Sequence, residues 1–404
     1  MKIIFVTHLF PYPPDDGGRI GFYNSLKYLA RRHEMVLVSL VAEENHDHIA
    51  AMRSICSDVV TMVDPGWTLW RMIRGVIGTP PGTASKYFSK EYGELIRKTV
   101  KRHKPDLVEL QHLNTTSYLP YCQAYCPVIL REHNIEFQVW ARQAEAATQP
   151  LMRQAFRLIA PRVRDYEAKM AAQFAECITV SKADELLLKE AAPEARVTTI
   201  PLGVDTEYFF PSAERVEEPF TMVLTGSFAW HPKQHNLRVL LTDIFPKIRS
   251  LVPEARLKVV GKGMPQELVK LAEEVGAEVT GAVPDVRPYI DSASLVLNYL
   301  ESGGGIALKV LEAMAMRKPV LSNVLGVEGI ALVAGRDAEV VDSKEAYAQA
   351  AAKLLCDPER RRALAENGYR FVMKEYAWCE LVSSYEAVYK AVLSRSAATR
   401  YEAF

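Results

Sequence analysis

Short apolar, β-branched runs alternate along this chain with stretches in which apolar residues recur every three or four positions. That alternation is the pattern of parallel strands covered by amphipathic helices. Strands are predicted at 2–7, 35–41, 59–63, 106–111, 127–132, 177–181 and 197–200, with helical stretches such as 19–32, 86–102 and 151–175 between them. A second series follows at 220–225, 256–260, 277–280, 295–299, 319–323 and 331–334, and after Asp342 the pattern is helical to the end. Between the two series lie Pro201-Leu202-Gly203-Val204-Asp205, Pro211 and a charged stretch from Glu214 to Pro219, which read as an interdomain linker. The expected fold class is α/β, with two Rossmann-like doubly wound domains facing each other across a cleft. The expected boundaries are 1–203, a linker at 204–219, a second domain at 220–375, and a terminal helix at 376–404 that crosses back to the first domain. In such sheets ligands bind at the C-terminal strand edges, so the facing edges are expected to form the site.

Composition narrows the function classes. The 404 residues hold 49 Lys+Arg against 49 Asp+Glu, so no global field recruits nucleic acid and none is expected as a partner. With 24% charged and 49% hydrophobic residues, the chain has enough apolar material for two full cores. The 6 cysteines show no paired metal-site spacing beyond Cys122 and Cys126, which reads as reduced cytosolic chemistry. At the N-terminus, Ile3-Ile4-Phe5-Val6 gives way to Thr7-His8 and a proline-rich loop, so the run is expected to be a first strand rather than a signal peptide. No run approaches the ~20 apolar residues of a membrane span. The expected location is the cytoplasm.

Three places carry candidate chemistry. Gly17-Gly18-Arg19 follows the first strand and opens a helix, where glycines let backbone N–H groups approach an anion. The plainer reading is a loop needing positive φ, and the spacing is not that of a dinucleotide fingerprint. The strand at 127–132 ends in Arg131-Glu132-His133-Asn134, placing His133 where it can meet a sugar or phosphate, unless a neighbouring loop satisfies it. The third segment runs Glu301-Ser302-Gly303-Gly304-Gly305-Ile306-Ala307-Leu308-Lys309-Val310-Leu311-Glu312, a strand passing through three glycines into a helix expected near Ile306. Unpaired N–H groups at that helix start suit a diphosphate. Lys309 sits in the first turn against the helix dipole, and Glu312 interrupts an apolar stripe three positions on. A carboxylate there accepts well from a ribose diol. A surface ion pair is the plainer alternative, weakened by two breaches of local logic beside a glycine loop.

These segments together resemble a known family. Pro201 to Phe209 is similar to the "NGVD…F" linker of family-4 retaining glycosyltransferases with the GT-B fold, and Leu311-Glu312-Ala313-Met314-Ala315 with Lys318-Pro319-Val320 to its donor-binding "LEAMA…G.PV" segment. Pro11 to Arg19, His133-Asn134-Ile135-Glu136 and Thr225-Gly226-Ser227-Phe228-Ala229-Trp230 resemble a subgroup tied to bacterial exopolysaccharide assembly. The resemblance implies that Glu312 holds the ribose of a nucleotide sugar and that Gly305, Ile306, Ala307 and Leu308 give backbone donors to its diphosphate. It places His133 near the donor sugar, Gly17 and Gly18 at the reacting centre, and Gly226 and Ser227 in the first loop of the C-terminal domain. The sequence departs from the pattern twice. Gly304 stands where the first Glu of the E-x7-E motif belongs, and Ser227 where an Arg often follows the glycine. Lys309, with Lys233 or Arg19, is expected to supply the missing charge, and Glu301 is the nearest carboxylate able to replace the absent one.

The implied activity is retaining transfer of a sugar from a nucleoside diphosphate donor to a glycan or lipid-linked acceptor, with no metal or other cofactor. Catalytic roles are expected for His133, Lys309 and Gly18. The rivals are a nucleotide-sugar 2-epimerase of the same fold and a non-catalytic glycan- or nucleotide-binding homologue. Two further signals are weaker. Asn45-His46-Asp47-His48 reads as a helix N-cap rather than a metal site. The stretch 67–104 carries Trp67, Trp70, Arg71 and Arg74, and residues 71–104 hold nine Lys/Arg against two Glu. A peripheral contact with the inner membrane face is the functional reading, and a helix packed on its own domain is the alternative.

Overall fold

The computed structural model describes residues 1–15, 17–64, 66, 81, 86–147, 149–212, 216–302 and 305–402. It divides into two compact units, one of Met1–Pro201 with Leu381 onward, the other of Leu202–Glu380.

The first unit contains β1 (Lys2–Thr7), α1 (Gly17–Leu29), β2 (Glu34–Val41), α2 (His46–Arg53), β3 (Asp58–Val63), α3 (Lys90–His103), β4 (Leu107–Gln111), α4 (Leu119–Cys122), β5 (Val128–Arg131), α5 (Glu136–Ala146), α6 (Pro150–Ala171), β6 (Glu176–Thr179), α7 (Lys182–Ala191) and β7 (Val197–Thr199). All its strand pairs are parallel, in the order β3-β2-β1-β4-β5-β6-β7. Helices cover both faces, so the central strands are apolar without alternation, and Ile3 to Val6 of β1 are fully buried. Side-chain caps start several helices. The Asn45 side chain accepts from the His48 N–H at 3.0 Å, giving that polar cluster the capping role expected of it. Ser89 and Ser181 do the same for α3 and α7.

The second unit contains β8 (Glu218–Thr225), α8 (His231–Val239), α9 (Phe245–Leu251), β9 (Arg256–Val260), α10 (Gln266–Glu274), β10 (Glu278–Gly281), α11 (Arg287–Ser292), β11 (Ala293–Asn298), α12 (Leu308–Ala315), β12 (Val320–Ser322), β13 (Glu339–Val340), α13 (Lys344–Cys356) and α14 (Pro358–Glu375). Its strands are parallel in the order β10-β9-β8-β11-β12-β13. A last helix, α15 (Trp378–Glu402), begins in the second unit and continues in the first.

Several expectations need correction or relocation. Residues 331–334 are not a strand: the Val333 N–H donates to Asp337 Oδ2 at 2.8 Å and the chain turns back, so the edge strand is Glu339–Val340. The helix after the glycines starts at Leu308, two residues later than expected. Val204 exchanges backbone hydrogen bonds with Tyr376 at 2.8 Å and Trp378 at 3.3 Å, so the start of the expected linker is packed within the second unit. Residues 67–80 and 82–85, including Trp67, Trp70, Arg71 and Arg74, lie outside the described residues. The apolar face of α3 packs on its own sheet, with the Tyr92 hydroxyl donating to the Thr7 carbonyl at 2.8 Å, so that part of 67–104 has no apolar face left for a bilayer. Among the described residues no helix is long and apolar enough to cross a membrane.

Candidate active site

In the second unit, the chain leaves β11 at Asn298, and buried amides hold its exit. Asn298 Nδ2 donates to Ser322 Oγ at 3.1 Å and to the Gly326 carbonyl at 2.6 Å. Asn323 brackets Leu300, accepting from its N–H at 3.0 Å and donating to its carbonyl at 2.6 Å. Asn236, from α8, accepts from the N–H groups of Glu301 at 2.9 Å and Ser302 at 3.2 Å and donates to the Ser302 carbonyl at 2.9 Å. Three amides therefore fix a loop that carries no regular structure of its own. Gly304 lies outside the described residues. Gly305 follows at φ +85, a left-handed conformation that favours glycine.

Ile306 and Ala307 lead into α12, with the Ile306 carbonyl accepting from the Leu308 N–H at 3.0 Å. Ala307 offers no side-chain cap, and the first turn contains no acidic residue. The helix start keeps its partial positive charge un-neutralised from within. Lys309 projects from that turn, and Glu312 stands one turn further on, both half-buried. Burial pushes the Lys309 ammonium down to about 8, helped by the nearby Lys233 of α8 and opposed by Glu312. Burial likewise pushes Glu312 up to about 7, opposed by Lys309. Lys233 and Lys309 thus repel each other, which favours the neutral form of Lys309.

Glu301 is engaged elsewhere. It pairs with Lys344 at 2.9 Å and with His235 at 3.1 Å, and the Lys344 hydrogen bond is the main reason its carboxyl lies below the ordinary range. Gly226 and Ser227 follow β8 in a loop pinned by backbone bonds from Gly226 to Val260 at 3.0 Å and from Phe228 to Lys262 at 2.8 Å. A Cβ on Gly261 would sit 1.6 Å from the Gly226 carbonyl oxygen, so that close crossing requires glycine.

In the first unit, Gly17 and Gly18 form the opening turn of α1 rather than a loop, and neither has a positive φ. Arg19 is turned onto Asp15 at 3.0 Å, inside its own segment. His133 sits just past β5, buried, with Nε2 2.8 Å from Gln111 Oε1. Its ring stacks on His112 at 4.0 Å between centroids, and the His112 ring meets that of His8 edge-on at 5.2 Å. Asn114 and Tyr87 complete the group around His8. Desolvation first, then His112, Arg131 and His8, hold His133 well below the ordinary imidazole range, so it is neutral near pH 7. A lone pair on a neutral imidazole suits a hydroxyl better than an anion.

Sequence reasoning missed Asn236, Asn323, His8 and His112. His8 and His112 follow β1 and β4 directly, which is the signal that singled out His133 after β5. The asparagines gave none, because their partners are main-chain groups of a distant loop. A cavity at the opposite, N-terminal edge of the second sheet has arginines already paired, Arg361 with Glu217 at 2.8 Å and Arg317 with Glu366 at 3.4 Å.

Residues 16–208 match the family model described as Glycosyltransferase Family 4, and residues 219–357 the one described as Glycosyl transferases group 1. A curated relative, an MMP α-(1→4)-mannosyltransferase of Mycolicibacterium hassiacum, is 26% identical over 248 residues, which is 58% of this chain and 58% of that protein. Among solved structures, sucrose-phosphate synthase from Thermosynechococcus elongatus superposes with TM-score 0.69 at 16% identity, over 98% of this chain and 100% of that one. Anabaena HepE, solved in complex with UDP, gives TM-score 0.69 at 14% identity over 97% and 100%. With two parallel-sheet units in sequence, each matched to a glycosyltransferase model, the chain belongs to the family-4 glycosyltransferases of GT-B fold.

Proposed function

We propose that the protein transfers a sugar from a nucleoside diphosphate donor to a glycan or lipid-linked acceptor, with retention at the anomeric carbon and without a metal. The second unit binds the nucleotide and the first binds the acceptor. The observation that carries this reading is the uncapped start of α12 with Lys309 in its first turn and Glu312 one turn on. The helix N–H groups, Lys309 and Lys233 match a diphosphate, and Glu312 matches the ribose hydroxyls. The mannosyl transfer named for the mycobacterial relative and the UDP-glucose held by the Anabaena protein support the substrate class. Bacterial polysaccharide or glycoconjugate synthesis is the setting we propose.

Catalysis comes mainly from stabilising the departing diphosphate and holding the acceptor hydroxyl against the anomeric carbon. The working mechanism is a same-face displacement, in which a donor phosphate oxygen takes the acceptor proton. The test is incubation with a panel of nucleoside diphosphate sugars, with and without glycan and lipid-linked acceptors. Acceptor-dependent release of nucleoside diphosphate with a retained anomer is expected. Turnover of donor alone to an epimer would replace this reading with the 2-epimerase, and binding without turnover would leave a silent homologue.

A further inference from the structure

A line of hydrogen bonds runs through the first unit from its C-terminal helix to the histidine cluster. Glu109 and Gln111 are two apart on β4 and so project from the same face of the sheet. Glu109 is buried, and its two oxygens have separate donors: the Tyr389 hydroxyl of α15 at 2.6 Å and Gln111 Nε2 at 2.7 Å. On the far side of the same amide, Gln111 Oε1 lies 2.8 Å from His133 Nε2.

The direction of every bond in that line is dictated by the carboxylate. Desolvation raises the Glu109 carboxyl above its ordinary range, opposed by the Tyr389 hydroxyl, Arg131 and the Gln111 amide. In its ionised form the oxygens only accept, so the Gln111 amide turns its NH2 toward Glu109 and its carbonyl toward His133. A carbonyl oxygen also only accepts, so His133 must carry its proton on Nε2. The remaining nitrogen, Nδ1, is then a bare lone pair. It is buried and has no donor among the described residues. An acceptor closed off from water without a partner is costly, and a ligand donor is what relieves it. Because the imidazole is neutral and stacked on the ring of His112, the group it takes is a hydroxyl rather than a phosphate.

The ring has little freedom to escape this arrangement. His112, which stacks on it, is held at φ 68 and ψ 155, a conformation rare for a residue with a Cβ. Its N–H donates to the Arg131 carbonyl at 2.7 Å, tying the strained residue to the end of β5, two residues before His133. Strain of this kind persists only where the surroundings over-determine it, and it gathers at functional sites.

We propose that Tyr389, Glu109 and Gln111 are positioning residues that hold His133 in its Nε2–H tautomer, so that Nδ1 accepts a hydrogen bond from a hydroxyl of the bound sugar substrate. This rests on the sugar-transfer reading for the identity of the hydroxyl, while the tautomer itself does not. The test therefore has two arms. In the first, long-range proton–nitrogen correlation on the full chain labelled with 15N-histidine reads the tautomer of His133, assigned by its loss in His133→Gln. The wild type is expected to show a protonated Nε2 and a bare Nδ1. Gln111→Leu is expected to move the signal to the other tautomer or to an exchanging mixture. Tyr389→Phe, which removes one hydroxyl at the far end, is expected to shift it in the same direction by less. In the second arm, kcat/KM for transfer is expected to fall about tenfold in Gln111→Leu and about threefold in Tyr389→Phe.

A wild-type His133 protonated on Nδ1, or a tautomer unmoved in both variants, overturns the relay whatever the transferase assay shows. A moved tautomer with unchanged kcat/KM overturns the role of Nδ1 at the sugar. If no donor is turned over by the wild type, the transfer reading fails on its own, and the spectra still decide the relay.

Discussion

Lys309 and Glu312 stand one turn apart on α12, and burial draws their protonation equilibria together, Glu312 up to about 7 and Lys309 down to about 8. Each is the other's counter-charge, yet desolvation outweighs the attraction in both. An ordinary surface pair shifts the opposite way, the acid downward and the base upward. On the proposed reading, a nucleotide's diphosphate and ribose hydroxyls would relieve both shifts.

A bell-shaped pH dependence of donor binding follows. Glu312 must be ionised to accept from ribose hydroxyls, so affinity is lost as pH falls through about 7. Lys309 must be protonated to meet the diphosphate, so affinity is lost again as pH rises above about 8. Nucleotide sugars suit the measurement because their diphosphate stays fully ionised across this range. Calorimetry with UDP-glucose and GDP-mannose from about pH 5 to about pH 10 should peak between the two values. In Glu312→Gln the acid limb should vanish while the alkaline limb remains. A flat wild-type profile would contradict both assignments.

Glu312→Ala should weaken nucleotide binding by about 1–3 kcal/mol, because the ribose hydroxyls lose a charged acceptor. The relevant readout is calorimetry with UDP and GDP. Equal affinity in mutant and wild type would mean that α12 does not hold the ribose.

Activity should survive chelation. The helix start and two lysines supply positive charge where a divalent ion would otherwise bridge the diphosphate. Turnover in excess EDTA should match the untreated rate. Complete loss, restored by Mn²⁺ or Mg²⁺, would require a metal in the mechanism.

Asn236→Ala should damage both stability and donor binding. Three main-chain groups of Glu301 and Ser302 lose their partner at once. A loss of about 1–3 kcal/mol is expected in chemical denaturation, along with a raised KM for donor and a smaller change in kcat. Wild-type stability and KM would show that the loop is held by something else.

The strand pattern made most of both sheets legible, because parallel strands buried on both faces leave unmistakable apolar runs such as Ile3 to Val6. It failed at 331–334, where an equally apolar run turns on Asp337 and Gly335 instead of pairing. A short run carries no sign of its partner, and the true edge strand is only two residues long. At the site, Lys309 and Glu312 stood out because each breaks a local rule of helix composition. Gln111, Glu109 and Tyr389 did not, since a polar residue in a strand or a tyrosine in a helix is ordinary until its distant partners are known. The hydrogen bond from Tyr389 to Glu109 joins residues 280 apart, and no spacing encodes it.

The last prediction concerns the carboxylate missing at position 304. A glycine there removes one negative charge near the diphosphate, so Lys309 should act on the phosphates with less opposition. Lys309→Ala is expected to lower kcat/KM by more than about tenfold, on the order of 1.4 kcal/mol of transition-state stabilisation. Glu301 is the other carboxylate in this loop, but Lys344 and His235 hold it. To serve the donor sugar it must keep those partners while offering a remaining lone pair, or leave them. Without a carboxylate side chain at position 304, the protein should also accept a donor sugar bearing an N-acetyl or carboxylate group. A panel of donors run on wild type, Lys309→Ala and Glu301→Ala separates these effects. Near-wild-type turnover in Lys309→Ala would remove it from the phosphates. A uniform small loss in Glu301→Ala marks a residue that only braces the loop through Lys344. A loss confined to discrimination among donor sugars would show that the family's carboxylate function has moved three positions toward β11.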